Sequence, residues 1–186
     1  MKTPHIEEFF TPQIPDADRA AMNELSGIVY PPHVVAGIVF PKSAPPPDIA
    51  WPPARQGRTF LLRVEGRLVA TSQIVPRRIK TTRGMMDVLG LAGVKTHPDF
   101  RLHGFGAKVV RAAFAYVDNG TFGLSLFQTR VAGFYEKLGC RRVDNEFLNS
   151  LAEDPHARPW WDAQNLIYPA SCDWPGGVVD LLGPAW

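Results

Sequence analysis

A chain of 186 residues with 45% apolar and 20% charged side chains has a globular composition and the length of one domain with its own core. Its formal net charge of +2 excludes binding led by bulk charge, so neither nucleic acid nor an anionic membrane surface is expected as a partner. No apolar run approaches the ~20 residues of a membrane helix, and the acidic start MKTPHIEEFF lacks the apolar stretch of a secretory leader. Cys140 and Cys172 stand far apart with no metal-ligand spacing. They read as free thiols of a cytoplasmic chain, and no metal is expected.

In chain order, residues 6–10 read as a short first strand. Pro15 and Asp16 open a helix over 16–29, with Asp16 and Asp18 in its first turn and Ala20, Met22, Leu25, Ile28 and Val29 at helical spacing. Pro31 and Pro32 stop it. Residues 31–57 are too rich in proline for long regular elements. They are expected to form a stiff loop on the substrate side, with Phe40 and Trp51 as apolar contacts. A hairpin follows, with strands at 59–64 and 68–75 around Glu65-Gly66-Arg67. A further strand through 77–82 and a turn at Gly84 lead into a strand at 85–96. After the next loop a helix runs to Asn119-Gly120. A buried strand is expected at 122–127, a short helix within 128–140 capped by Gly139, and a strand at 141–147. Residues 151–163 read as a polar connector. Short strands are expected at 166–169 and 178–182, and residues 151–186 as an extension packed on the core. Strand–helix units followed by strands give an α/β (α+β) class with a mixed sheet flanked by helices, in a single domain over 1–186.

The stretch 94–108, VKTHPDFRLHGFGAK, carries the chemistry. It joins an apolar strand to an amphipathic helix and places Arg101-x-x-Gly104-x-Gly106 where the helix begins. The first amides of a helix lack intrahelical partners, and the helix dipole favours an anion there. Glycines let a ligand approach the backbone closely. These residues read as a pyrophosphate cradle. It is not a Walker loop, because no Gly-Lys-Ser/Thr closes it. It is not a dinucleotide fingerprint, because Val109 stands where the third glycine would fall.

Arg-x-x-Gly-x-Gly at 101–106 is similar to the acetyl-CoA signature of the GNAT N-acetyltransferase superfamily. Some thirty residues later, Phe134-Tyr135-Glu136-Lys137-Leu138-Gly139 resembles that family's second signature. The resemblance covers residues 58–143. The ending, from Tyr168-Pro169 through Trp174-Pro175-Gly176-Gly177 to Trp186, is more distantly similar to aminoglycoside 2'-N-acetyltransferases and nodulation N-acyltransferases.

The resemblance implies an acyl-CoA-dependent N-acyltransferase that moves an acetyl group from acetyl-CoA to a small-molecule or peptide amine. It is compatible with a homodimer. It puts Val94, Lys95 and Thr96 on a splayed strand whose backbone meets the pantetheine arm. It puts Leu102, His103, Gly104, Phe105, Gly106 and Ala107 where amides hold the pyrophosphate, and Arg101 at the Arg/Gln position. Gln128 stands in place of the Asn that opens the second helix. Tyr135 matches the general acid that protonates the departing thiolate. Acyl transfer needs a neutral amine, a polarised carbonyl and a proton for sulfur, and no cysteine sits as a nucleophile.

The general base is the gap. Gly90-Leu91-Ala92-Gly93 carries no acid where the family often has Glu. Asp87 lies further back on that strand, and a water chain is the default proton acceptor. The carboxylate of Trp186 is a candidate contact for the acceptor amine. Two alternatives stay open: a non-catalytic acyl-CoA-binding protein, and an enzyme using a longer acyl donor, with Gly90, Ala92 and Gly93 making room.

Overall fold

Strict alternation drives the sheet. In β2 (Arg58–Val64), Phe60 and Leu62 point to one side and Leu61 to the other, and all three are buried. A strand buried on both sides must be covered by two layers. A computed structural model describes residues 4–32, 36–38, 41–162 and 164–186. The elements are β1 (His5–Phe10), α1 (Asp16–Val29), β2, β3 (Arg67–Thr81), β4 (Gly84–Thr96), α2 (Phe105–Asp118), β5 (Ser125–Thr129), α3 (Ala132–Glu136), β6 (Arg141–Val143), β7 (Phe147–Leu148), β8 (Gln164–Tyr168) and β9 (Val179–Asp180). The sheet runs β1-β2-β3-β4-β5-β8-β6, with β9 against β3 and β7 against β9. Along that path every pairing is antiparallel except β4 with β5.

On one face α2 and α3 bury Val110, Ala113, Phe114, Val117 and Tyr135 against Phe60, Ile74, Leu89, Leu91 and Phe127. The other face has two coverings. Helix α1 packs Leu25 on Leu61 and Leu68. The C-terminal stretch packs Trp160, Val179 and Leu181 on Val88, Leu124, Leu126 and Ile167, with Trp174 and Trp186 against them. The seam between these coverings falls along β4.

Two glycines shape β4. Its parallel ladder with β5 is only Leu89↔Ser125 and Gly90↔Leu126, after which the strands part. On the β3 side the register slips: Thr71 faces Lys95 but Gln73 faces Ala92, so Gly93 and Val94 oppose Ser72 alone. This β-bulge puts Gly93 at φ +57 and bends the strand away from its partner. A Cβ on Gly93 would stand 2.6 Å from Gln73 Oε1, and the Gln73 amide is bonded to Thr59 at 3.1 Å. Gly93→Ala is therefore expected to cost about 1–2 kcal/mol, from the left-handed backbone and the displaced amide, read as a lower urea midpoint.

At Gly90 the reason is space. A Cβ there would lie 2.5 Å from the indole nitrogen of Trp186 and 2.7 Å from Val75 O. The Trp186 indole donates to Leu126 O at 3.0 Å, where the β4–β5 ladder stops. Arg77, 6% exposed, donates to Pro184 O (2.8 Å) and Leu181 O (3.1 Å). Its guanidinium lies 4.8 Å over the Trp186 ring.

Several boundaries differ from the sequence expectation. The strands expected at 68–75 and 77–82 are one strand, β3, running through Pro76. Its pairing with β2 ends at Ile74, so Pro76 sits where that side of β3 has lost its neighbour and a missing N–H costs no ladder bond. β5 begins at Ser125, later than residue 122, where pairing with β8 starts. The strand expected at 141–147 is split into β6 and β7, which join different partners. The helix within 128–140 is only α3, and Gln128 belongs to β5.

Candidate active site

Beyond β4 the chain makes one 3-10 turn, Pro98–Phe100, pinned by His97. The His97 ring accepts from Asp99 N at 3.2 Å and meets Arg67 at 2.7 Å. It is buried and structural. The loop then arches. Leu102 takes φ +66 with its side chain wholly in solvent, and Gly104 takes φ +76 as the residue before α2. An exposed leucine held in the left-handed region costs about 1 kcal/mol or more and marks a backbone shaped for a task. No side chain caps α2, and its first helical bond is Lys108 N to Gly104 O at 3.1 Å. The amides of Phe105, Gly106 and Ala107 are therefore left without helical partners.

The two cradle glycines act differently. At Gly104 a Cβ would meet nothing within 4 Å, so its φ alone calls for glycine. At Gly106 a Cβ would stand 2.9 Å from Thr96 Oγ1, so glycine lets α2 lie close on β4. His103 stacks on Phe105 at 5.8 Å, with its ring nitrogen 2.7 Å from Arg101 O. Beside them a hollow of about 430 Å³ is lined by Val64, Glu65, Arg67, Asp99, Phe100, His103 and Phe105. These residues fit a long ligand with an anionic middle. The amides suit the phosphates, the hollow opens next to them, and the β5-facing edge of β4 is unpaired after Gly90.

Tyr135 sits on α3, 6% exposed, its ring 4.7 Å from Phe127 and 4.8 Å from Phe134. Its hydroxyl has no hydrogen-bond partner among the described residues. Burial pushes its pKa well above the usual tyrosine value, with Tyr30, Cys140 and Asp162 adding to it. It therefore stays a neutral phenol, able to donate but not to act as a base. Tyr30, just past the end of α1, donates to Val94 O at 3.3 Å. Its pKa is raised by burial and then by Asp162, with Arg130 and Arg101 opposing. Tyr30, Val94, Tyr135 and Asp162 thus gather at the parting of β4 and β5.

Asp162 is the acid the sequence did not reveal. It is paired with Arg130 Nε, and its main-chain N–H donates to Gln128 Oε1 at 2.8 Å. Gln128 Nε2 donates to the main-chain oxygen of Trp186 at 3.1 Å. The Gln128 carboxamide is used at both ends within the chain, in addition to the cofactor contact expected of it. Tyr30 and Asp162 flank the cleft from the two coverings of that face. Both lie beside proline-broken stretches with no periodicity, and only the fold reveals their meeting.

Asp87 does not join them. Its carboxylate is held by Arg78 (2.6 and 3.0 Å) and by Arg55 (3.3 Å). With its lone pairs on two guanidinium groups, and three residues before the strands part, it is not placed as a base. Arg78 also lies 5.7 Å over Trp51, so Trp51 packs on this ion-pair cluster. Phe40 lies outside the described residues. Cys140 and Cys172 are both free, and burial raises the Cys140 thiol to about 12, far from a reactive thiolate.

Residues 36–143, more than half of the chain, match the model of the acetyltransferase (GNAT) domain. The chain belongs to the GNAT acetyltransferase family. Its enzyme class is therefore acyl transfer, and the mixed sheet flanked by helices is the fold of the family. No curated protein matches in sequence. Among solved structures it resembles an acetyltransferase of Streptococcus agalactiae 2603, with 13% identity, TM-score 0.61, and 90% of this chain and 98% of that one covered. It also resembles a GNAT-family acetyltransferase of Brucella melitensis in complex with acetyl-CoA, with 13% identity, TM-score 0.58, and 97% and 96% covered. A probable N-acyltransferase of Enterococcus faecalis V583 matches at 13% identity and TM-score 0.54. There the GNAT chain covers 33% of the longer protein, with 76% of its own length. Among the described residues no helix is long and apolar enough to cross a membrane.

Proposed function

We propose that this GNAT domain transfers an acetyl group from acetyl-CoA directly to a primary amine. The observation that carries the reading is the parting of β4 from β5 beside an uncapped helix start, with a buried, unbonded tyrosine at the same cleft. Acetyl-CoA, when bound, supplies an activated acyl group on a thiolate leaving group. The backbone of Val94, Lys95 and Thr96 receives its pantetheine arm, and the amides from Leu102 to Ala107 hold the pyrophosphate. Arg101 adds charge beside it, and the hollow at His103, Phe100 and Phe105 takes the nucleotide end.

Tyr135 holds its proton at the cleft and donates it to the leaving sulfur. Burial disfavours the tyrosinate, but it equally disfavours a thiolate formed alongside, so the transfer is less uphill than the tyrosine's raised pKa alone implies. Asp162, with one oxygen held by Arg130, takes the amine proton through the other, directly or through water. The main-chain oxygen of Trp186 borders the same side as a contact for the amine. The acetyl donor is preferred over a longer one because the space above Gly90 is filled by the Trp186 indole and Gly93 is a bulge residue.

Calorimetric titration with acetyl-CoA, desulfo-CoA and a longer acyl-CoA tests this reading, followed by thiol release across a panel of amines. Acetyl-CoA is expected to bind more tightly than the longer acyl-CoA. At least one amine should turn over, with Asp162→Asn lowering kcat/KM by about 10²-fold. Binding without turnover of any amine would favour a non-catalytic acyl-CoA binder, and no binding of any CoA species would overturn the proposal.

A further inference from the structure

Lys95 is a half-buried charge beside this cleft with no counter-charge among the described residues. Val94 packs with the core under α2, and Thr96 Oγ1 lies against Gly106 of α2. The intervening Lys95, opposite Thr71 in the ladder, therefore points to the other face. That is the face of α1 and of the Tyr30 and Asp162 seam. The side chain is half-buried, and no hydrogen bond or ion pair meets its ammonium among the described residues. The residues outside the description are Met1, Lys2, Thr3, His33, Val34, Val35, Val39, Phe40 and Ala163, none of which is an acid. Burial lowers its pKa, with no carboxylate opposing. Holding a desolvated ammonium without a partner is costly, whereas the more exposed Arg130 of the same cleft is paired with Asp162.

We infer that Lys95 binds an anionic group on the acceptor, so that the substrate is an amine carrying a carboxylate or a phosphate a few bonds from its nitrogen. This rests on the acetyltransferase reading and gives its acceptor a chemical class. The two poles of such a molecule fit the two sides of the cleft. The amine faces Asp162, whose carboxylate disfavours tyrosinate at both Tyr30 and Tyr135, and the anion faces Lys95. Main-chain atoms of residue 95 serve the donor, while its ammonium, on the opposite face from α2, serves the acceptor.

The test needs no turnover, so it can fail independently of the enzymatic reading. N-acetyl-amino acids, the same compounds as neutral amides, and N-acetyl-O-phosphoethanolamine are titrated into the CoA-saturated protein, and into Lys95→Met and Lys95→Arg. Anionic members are expected to bind about 10-fold or more tightly than their amides. That ratio should fall to near one in Lys95→Met and be largely kept in Lys95→Arg, each variant being saturated with CoA beforehand. Tighter binding of the acids than of the phosphate would name the carboxylate as the anion, and the reverse order the phosphate. Equal binding of acids and amides, no binding of any anionic member, or a ratio unchanged in Lys95→Met would overturn the inference.

Discussion

Tyr135→Phe is expected to lower kcat by about 10²–10⁴-fold, the range for removing a positioned general acid, while acetyl-CoA affinity stays within about twofold. Phenylalanine keeps the ring contacts with Phe127 and Phe134. Because the lost hydroxyl has no partner among the described residues, no buried polar group is orphaned, and the urea midpoint should hardly move. The pH profile adds a second readout. The pKa of Tyr135 is raised, so its proton stays in place as pH climbs past the usual tyrosine range. Through about pH 10, kcat should show no alkaline fall that the Phe variant lacks. A twofold loss of kcat, or a fall with an ordinary tyrosine midpoint, would remove Tyr135 from the reaction.

The second large effect is expected at the cradle. Gly104→Glu should weaken acetyl-CoA binding by about 10²-fold or more, measured by calorimetry. The left-handed φ penalises any side chain by roughly 1–2 kcal/mol, and the carboxylate then sits at the uncapped helix start and takes the place of the phosphates. Gly104→Ala separates the causes. Its Cβ would meet nothing within 4 Å, so only the backbone cost remains and most of the affinity should survive. If Ala weakens binding as much as Glu, backbone shape and not charge governs the cradle.

How far the sequence could be read depended on how local each feature is. The strand, loop and helix of the proposed cradle were legible because they are contiguous. The motif gave the start of α2 within a residue, and Gly104 and Gly106 stand out in any strand-to-helix crossing. The short helix that carries Tyr135 was legible because its motif is also short. The proposed acceptor side was not. Tyr30 and Asp162 lie more than a hundred residues apart and meet only because α1 and the C-terminal stretch cover adjacent halves of one face. Asp162 sits in a connector without periodicity, and it is located by the pairing of β5 with β8 and by Gln128. Asp87 misled for the opposite reason. Position along a strand is visible in sequence, but the two arginines that occupy it come from β3 and from a distant proline-rich turn. The small residues of β4 suggested room for an acyl chain because a sequence cannot say what lies over a glycine; over Gly90 it is Trp186.

The hold of Arg77 on the C-terminal stretch also bears on how the enzyme answers to ionic strength. Its guanidinium is buried against two carbonyl oxygens and an indole face, and burial draws its pKa down to about 10, still charged at neutral pH. Mobile ions screen exposed pairs such as Arg83 with Asp173, but they do not reach a buried cation among fixed dipoles. The wall that carries Trp160, Asp162 and Trp186 therefore stays docked as salt rises. A salt dependence of catalysis would then belong to the charged ligands entering and leaving the cleft and to the exposed pair of Arg130 with Asp162, not to undocking of this wall.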